Sequence, residues 1–289
     1  MQDYRAFHTI DKSCGYVRYL WHKPRTSIML GGMDSRSRLP LAASVLPAAV
    51  PPLPAWANPR ALDLGEADAA FAAGIALKSL DDLVRSEPAW AGCWRQRLAL
   101  RCAKSAVQLI GRSEGDAALR DAVLFMAPGN DPGPAGAMVL AFQKLAAKTR
   151  PIGSKGLQDL TALIGQRRDG LSEIADLFDA ALQSGRSAPF AVADLIGSIY
   201  AVRPDAEILT WWLADRLLAG KLGWGCGVPL LMGERYGVAF KTLGGRGRVR
   251  PGEPGFARAV CLALAAGTVE ALRQASDMGL RGHFYINTR

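Results

Sequence analysis

The sequence predicts an all-α fold, an irregular bundle of about nine or ten helices. Alanine and leucine dominate while isoleucine, threonine and tyrosine are sparse, which favours helix over strand. Apolar residues recur at helical spacing in segment after segment, and glycine and proline punctuate the gaps. Hydrophobic residues make up 49% of the 289 and charged residues 21%, enough to build a sizeable core and too apolar for global disorder.

Residues 1–32 stand apart from the rest of the chain. They mix Tyr, His, Lys, Arg and Cys without a period and carry His8 and His22. Two readings stay open: a flexible arm, or an over-extended gene start with Met33 as the true first residue. Residues 33–62 read as a Pro/Ala-rich linker, because Pro40, Pro47, Pro51, Pro52 and Pro54 break any helix there and argue against a signal peptide.

The helical domain is expected over 63–276. Its first helix runs from Leu64 to Val84, with Ala67, Phe71, Ile75 and Leu83 near helical spacing. Pro88 breaks the chain before a second helix, Ala89 to Ile110. Trp90, Trp94, Leu98 and Val107 mark its buried side, Arg95, Arg97, Arg101 and Lys104 its wetter parts, and Cys93 and Cys102 read as small core residues. Gly111 suits a C-terminal stop. Ser113 is a plausible N-cap for a short helix over Asp116 to Met126. The loop APGNDPGPAG then leads into Ala135 to Ala147, with Met138, Phe142 and Leu145 on one face.

After a connector at 149–156, helices are expected over Leu157 to Ile164, Leu171 to Leu182 and Pro189 to Val202. Pro204 opens another, Asp205 to Leu222. Its apolar side holds Ile208, Trp211, Trp212, Leu217 and Leu218, against Asp215, Arg216 and Lys221. The VPLLM run (228–232) should pack beneath it. Gly237 to Leu243 leaves room for a short β-hairpin. Pro254 opens the last strong helix, Gly255 to about Ser276, and residues 277–289 lose the pattern and should fray.

Several chemistries are excluded. No histidine lies between His22 and His283, which removes Ser-His, Cys-His and HExxH mechanisms from the core. Five cysteines, an odd number at long spacings without CxxC, argue against a disulfide framework and a zinc knuckle and fit a reducing cytoplasm. No metal and no cofactor is expected. No uncharged apolar run reaches the ~18 residues of a membrane span. Carboxylate pairs are weak: Asp81 and Asp82 are adjacent, so on a helix they point about 100° apart.

What remains is charge. A net +9 favours an anionic partner, nucleic acid first. Only one true basic cluster exists, in GGRGRVRPGEPG (244–255). Arg246, Arg248 and Arg250 alternate there on a glycine-rich loop and, with Lys241 and Arg235, form the candidate anion or nucleic-acid site. The bland alternative is a solvated turn whose arginines pair with Glu234 or Glu253. The PGNDPGPAG loop precedes a helix N-terminus that could hold an anion. It lacks GKS or GKT, however, and Asp131 would repel phosphate, so a structural turn is the better reading.

The segments LDDLVRSEPAWAGCWRQRLALRCAKSAVQL, GRSEGDAALRDA, PGNDPGPAG, WWLADRLLAGKLGW, VPLLMGERYG and GGRGRVRPGEPGFARAVCLAL succeed one another from Leu80 to Leu264. On them the chain resembles a bacterial family, the domain of unknown function 1403. The resemblance implies no substrate, cofactor or catalytic residue, and it does not cover residues 1–32. Members of that family continue beyond the equivalent of Ser276 with a further basic helical region. This chain ends in GLRGHFYINTR, as expected of a truncated or frame-shifted copy.

The leading functional expectation is a cytoplasmic helical protein that binds nucleic acid or another anionic partner. The second is an enzyme, or a remnant of one, acting on a phosphorylated small molecule or nucleotide. It would bring the PGNDPGPAG loop and the arginine loop into one pocket beside an Asp or Glu. The third is a scaffold or homo-oligomer joined through the Trp211/Trp212 face.

Overall fold

A computed structural model describes residues 9–11, 16–18, 53–57, 64–127, 129–147, 152–242 and 247–286. A short antiparallel pair, β1 (Thr9–Asp11) and β2 (Tyr16–Arg18), sets Ile10 opposite Val17. Ten α-helices among the described residues then make the fold. The first four are α1 (Glu66–Ser86), α2 (Ala91–Leu109), α3 (Asp116–Leu124) and α4 (Gly133–Ala146). Next come α5 (Ser154–Leu163), α6 (Leu171–Gln183), α7 (Ala188–Val202) and α8 (Glu207–Lys221). The four-residue α9 (Leu231–Glu234) and the long α10 (Phe256–Ile286) complete the set. None of the described helices is long and apolar enough to cross a membrane.

Helix ends obey local chemistry. At Gly111 the backbone turns left-handed (φ +78°), and the Gly111 and Arg112 amides donate back to Gln108 and Val107 at 3.0 and 3.1 Å. This double bond satisfies the last carbonyls of α2 and stops it where the sequence predicts. Ser113 does not cap α3: Gly115 occupies that position, without a side-chain hydrogen bond.

The α1 stripe departs from the expected one. Phe71 is exposed, its ring 6.3 Å from that of Trp56, and the buried face is Ala69, Ala73, Ala76 and Leu80. α1 packs chiefly on α10, whose own buried residues include Ala259, Ala263, Ala271 and Ala275. Small side chains on both helices allow close backbone approach; Phe71 turns outward, while Leu77, Leu80 and the expected Leu83 stay buried. α10 also packs on α2, α7 and α9. The helix expected to close near Ser276 continues to Ile286, so backbone hydrogen bonding carries on where the apolar period is lost.

α8 lies at the centre of the second half, against α7, α6, α9 and α4. It has no polar face in the expected sense. Ile208 through Asp215 and Leu217 through Ala219 are all buried, the pattern of a helix surrounded by protein. Asp215, expected on a wetter side, is fully buried. It accepts the backbone amide of Leu230 at 2.8 Å and that of Leu231 at 3.2 Å, and so pins the start of α9. The VPLLM run packs here as expected: Val228, Leu230, Leu231 and Met232 are wholly buried.

The short β-hairpin anticipated over 237–243 is not formed. Val238–Phe240 is a 3-10 turn, because Ala239 and Phe240 both enter the core instead of alternating between faces. A single bridge, Lys241 opposite Arg248, is all the pairing that the described residues show there.

Candidate functional site

Two helical faces converge where the chain passes from α7 into α8. Residues three and four apart share one face of a helix. On α7 this brings Ile196 and Tyr200 together, with Arg203 just beyond the helix end. On α8 it aligns Glu207, Thr210 and Trp211. The segment from Arg235 to Phe256 closes the opposite side. Between them lies a cleft of about 730 Å³, within the range that holds a small-molecule ligand.

Its inner wall is apolar and tightly fitted. The rings of Trp211 and Phe240 meet edge-on at 5.5 Å, and those of Phe240 and Phe256 lie 6.0 Å apart. Its polar lining comprises four arginines, Arg203, Arg235, Arg248 and Arg250, against two glutamates, Glu207 and Glu253, together with Tyr200 and two threonines. The four arginines are not equivalent.

Arg248 is half-buried and faces backbone. One terminal nitrogen donates to the Arg235 and Gly237 carbonyls, each at 3.1 Å, and the other to the Tyr236 carbonyl. Burial, then the nearby Arg235 charge, lowers its pKa. Arg248 is therefore a staple for the 235–237 turn. Gly237 makes that turn possible: a Cβ there would lie 2.9 Å from the Glu234 backbone oxygen.

Arg203 is likewise engaged. It meets the Asp205 carboxylate with two nitrogens at 2.9 Å each, and it also donates to the Asp169 carbonyl. The Asp205 hydrogen bonds raise its pKa above the usual guanidinium value. Arg203 contributes field to the cleft more than free donors.

Arg235 and Arg250 differ. Arg235 pairs through Nε with Glu207 Oε1, which also accepts the Trp211 indole N–H at 3.2 Å. Its terminal nitrogens have no hydrogen-bond partner among the described residues, and its guanidinium lies 5.6 Å from the centre of the Tyr236 ring. Arg250 is exposed. Its backbone amide, not its guanidinium, meets Glu253, at 2.9 Å, and the guanidinium has no partner among the described residues.

The candidate residues thus divide. Arg235, Arg248 and Arg250 line one cleft; Lys241 is exposed beside it and does not line it; Arg246 lies outside the described residues. Among the described residues, Glu234 does not pair with Arg248 or Arg250. It takes Arg101 of α2 at 2.5 Å, and Arg101 is held above its usual pKa because the Glu234 charge and hydrogen bond outweigh burial. Sequence spacing alone does not point to Tyr200, Arg203 or Glu207. Only the turn that folds α7 onto α8 brings them to the loop.

The PGNDPGPAG loop is elsewhere. None of residues 129–136 lines the cleft, so the two loops do not form the shared anion site expected of the enzyme reading. The Gly133 amide, which an anion would need, already donates to Asp131 Oδ1 at 2.9 Å. The Trp211/Trp212 face is also unavailable for joining two copies. Trp211 and Trp212 are only 3% and 8% exposed, and the Trp212 indole donates to the Ala141 carbonyl at 2.9 Å.

No curated protein and no solved structure matches the chain. The family model described as Protein of unknown function (DUF1403) matches residues 43–284, a stretch that begins before α1, reaches into the last turns of α10 and takes in every residue lining the cleft. On that match the chain belongs to the DUF1403 family.

Proposed function

We propose that the chain is a helical binding protein whose ligand is a small organic anion held in the arginine-lined cleft. One observation carries this reading: the terminal nitrogens of Arg235 and the guanidinium of Arg250, without a partner among the described residues, come to the same recess beside an apolar wall. Such donors bind carboxylate and phosphate oxygens with geometric selectivity. Nucleic acid, favoured by net charge and the Arg246/Arg248/Arg250 cluster, calls for an open basic track along which phosphates are neutralised. Arg203 and Arg248 are engaged with protein oxygens, which leaves Lys241 and Arg250 as exposed cations of the described loop. A recessed anion fits this arrangement better than a strand.

Calorimetric titration with ribose 5-phosphate and with citrate tests the reading. The parent should bind one or both saturably, and Arg250→Ala should weaken binding by about tenfold or more, the worth of one charge-assisted hydrogen bond. That variant should leave unfolding by urea unchanged. Arg248→Ala should instead lose about 1–3 kcal/mol of stability, because it strips donors from three carbonyls. Absence of binding by the parent, or equal binding by parent and Arg250→Ala, overturns the assignment.

A further inference from the structure

The cleft carries more than a bare anion could use. Besides the N–H groups of Arg235 and Arg250 that have no partner among the described residues, it holds acceptors. Glu207 Oε1 takes both of that residue's hydrogen bonds, so Oε2 is left without a donor among the described residues. Glu253 engages the Arg250 amide through Oε2 alone. The Tyr200 hydroxyl, on the α7 side, has no hydrogen-bond partner among the described residues. Ile196, Val249, Pro251 and Phe256 supply apolar surface between these groups.

A ligand matching this lining has three parts: an anionic group for the arginines, N–H or O–H donors for the glutamates, and an apolar body. Inorganic phosphate and pyrophosphate lack the third, offer only an acidic P–OH as the second, and would face the carboxylates with like charge. A sugar phosphate lacks the apolar body, and a dicarboxylate lacks the donors. An amino acid fills little of a cleft of about 730 Å³. Nucleoside phosphates combine all three, in a phosphate, in amino and hydroxyl donors, and in a flat ring that arginine and apolar side chains can both cover.

We infer that the cleft takes a nucleoside phosphate, with the phosphate on Arg235 and Arg250 and the donor edge of the nucleoside on Glu207. This rests on the proposed anion site and narrows it. Glu207 then acts as a selector. Its charge opposes small inorganic anions, while its carboxylate rewards a ligand that brings N–H or O–H.

The experiment is a calorimetric titration of the full chain with AMP, GMP, CMP and UMP, beside adenosine, ribose 5-phosphate and pyrophosphate. At least one nucleotide should bind about tenfold or more tighter than each of the three fragments. Glu207→Gln should move two affinities in opposite directions, weakening the nucleotide and strengthening pyrophosphate. If fragments bind in an Arg250-dependent way but no nucleotide exceeds them, the nucleotide assignment fails and the anion site stands. If Glu207→Gln moves both ligands in the same direction, the selector role fails. If nothing in the panel binds, both readings fall together.

Discussion

Asp215 and Arg248 are charged residues that the fold uses to hold backbone. Arg248 gathers three carbonyls of one turn, and Asp215 gathers two amides at the start of α9. Burial pushes the Asp215 pKa from the ordinary 3.8 up to about 7, and the amides of Leu230 and Leu231 only partly oppose this. Cys102 is affected as well. Burial first, then the Asp215 charge, lifts its thiol well above the usual range, so it stays protonated and unreactive. The folded chain therefore holds the Asp215 proton more tightly than the unfolded chain does. Its contribution to stability is full below pH 3.8 and is lost as the pH rises to about 7. Asp215→Asn should flatten the urea-unfolding free energy across that window; an unchanged slope would mean that Asp215 does not set it. None of this is readable from spacing, because an aspartate between apolar helical residues looks like a solvated interruption. Its partners lie beyond the Gly/Pro break that separates α8 from α9, and only tertiary contact turns the carboxylate inward.

Helices are the legible layer, for a physical reason: period and punctuation are local. Gly111, Pro204 and Pro254 stand at or just outside helix ends because left-handed backbone and a missing N–H act on their immediate neighbours. Orientation is less legible. On α1 the large residue Phe71 suggests the buried side, yet it is 60% exposed while Ala73 is 0% exposed. Which stripe is buried depends on the partner, and α10 presents alanines. Ala73→Leu should therefore force α1 and α10 apart at a cost of about 1–3 kcal/mol. Phe71→Ala should stay within roughly 0.5 kcal/mol of the parent. Urea titrations of the two variants decide the matter, and the reverse order would return the core to the Phe71 side. The short helix α9 leaves no mark in the sequence because four residues are too few to show a period. The candidate site is half legible for a similar reason. The Arg248/Arg250 loop is a local motif, whereas Tyr200, Arg203 and Glu207 join it through the α7–α8 corner.

At the scale of the molecule, α8 and α10 link the parts. α8 packs against α4, α6, α7 and α9, and α10 against α1, α2, α7 and α9. The described helices should accordingly unfold as one cooperative unit. Far-UV circular dichroism and the fluorescence of tryptophans spread over α2 and α8 should give coincident transitions, and two separated midpoints would divide the bundle. Net charge, by contrast, overstates the cations that the cleft offers, because Arg203 and Arg235 pair with Asp205 and Glu207. Phe256 has a further consequence. It is both a wall of the cleft and the first residue of α10, so the recess exists only while the bundle is assembled. Occupancy and folding are then thermodynamically linked. A ligand present at about 100 times its Kd adds about 2.7 kcal/mol to stability, which raises the Tm of a domain of this size by roughly 5–10 °C. A melting curve thus becomes a ligand screen for this chain, one that works whether or not any reaction accompanies binding.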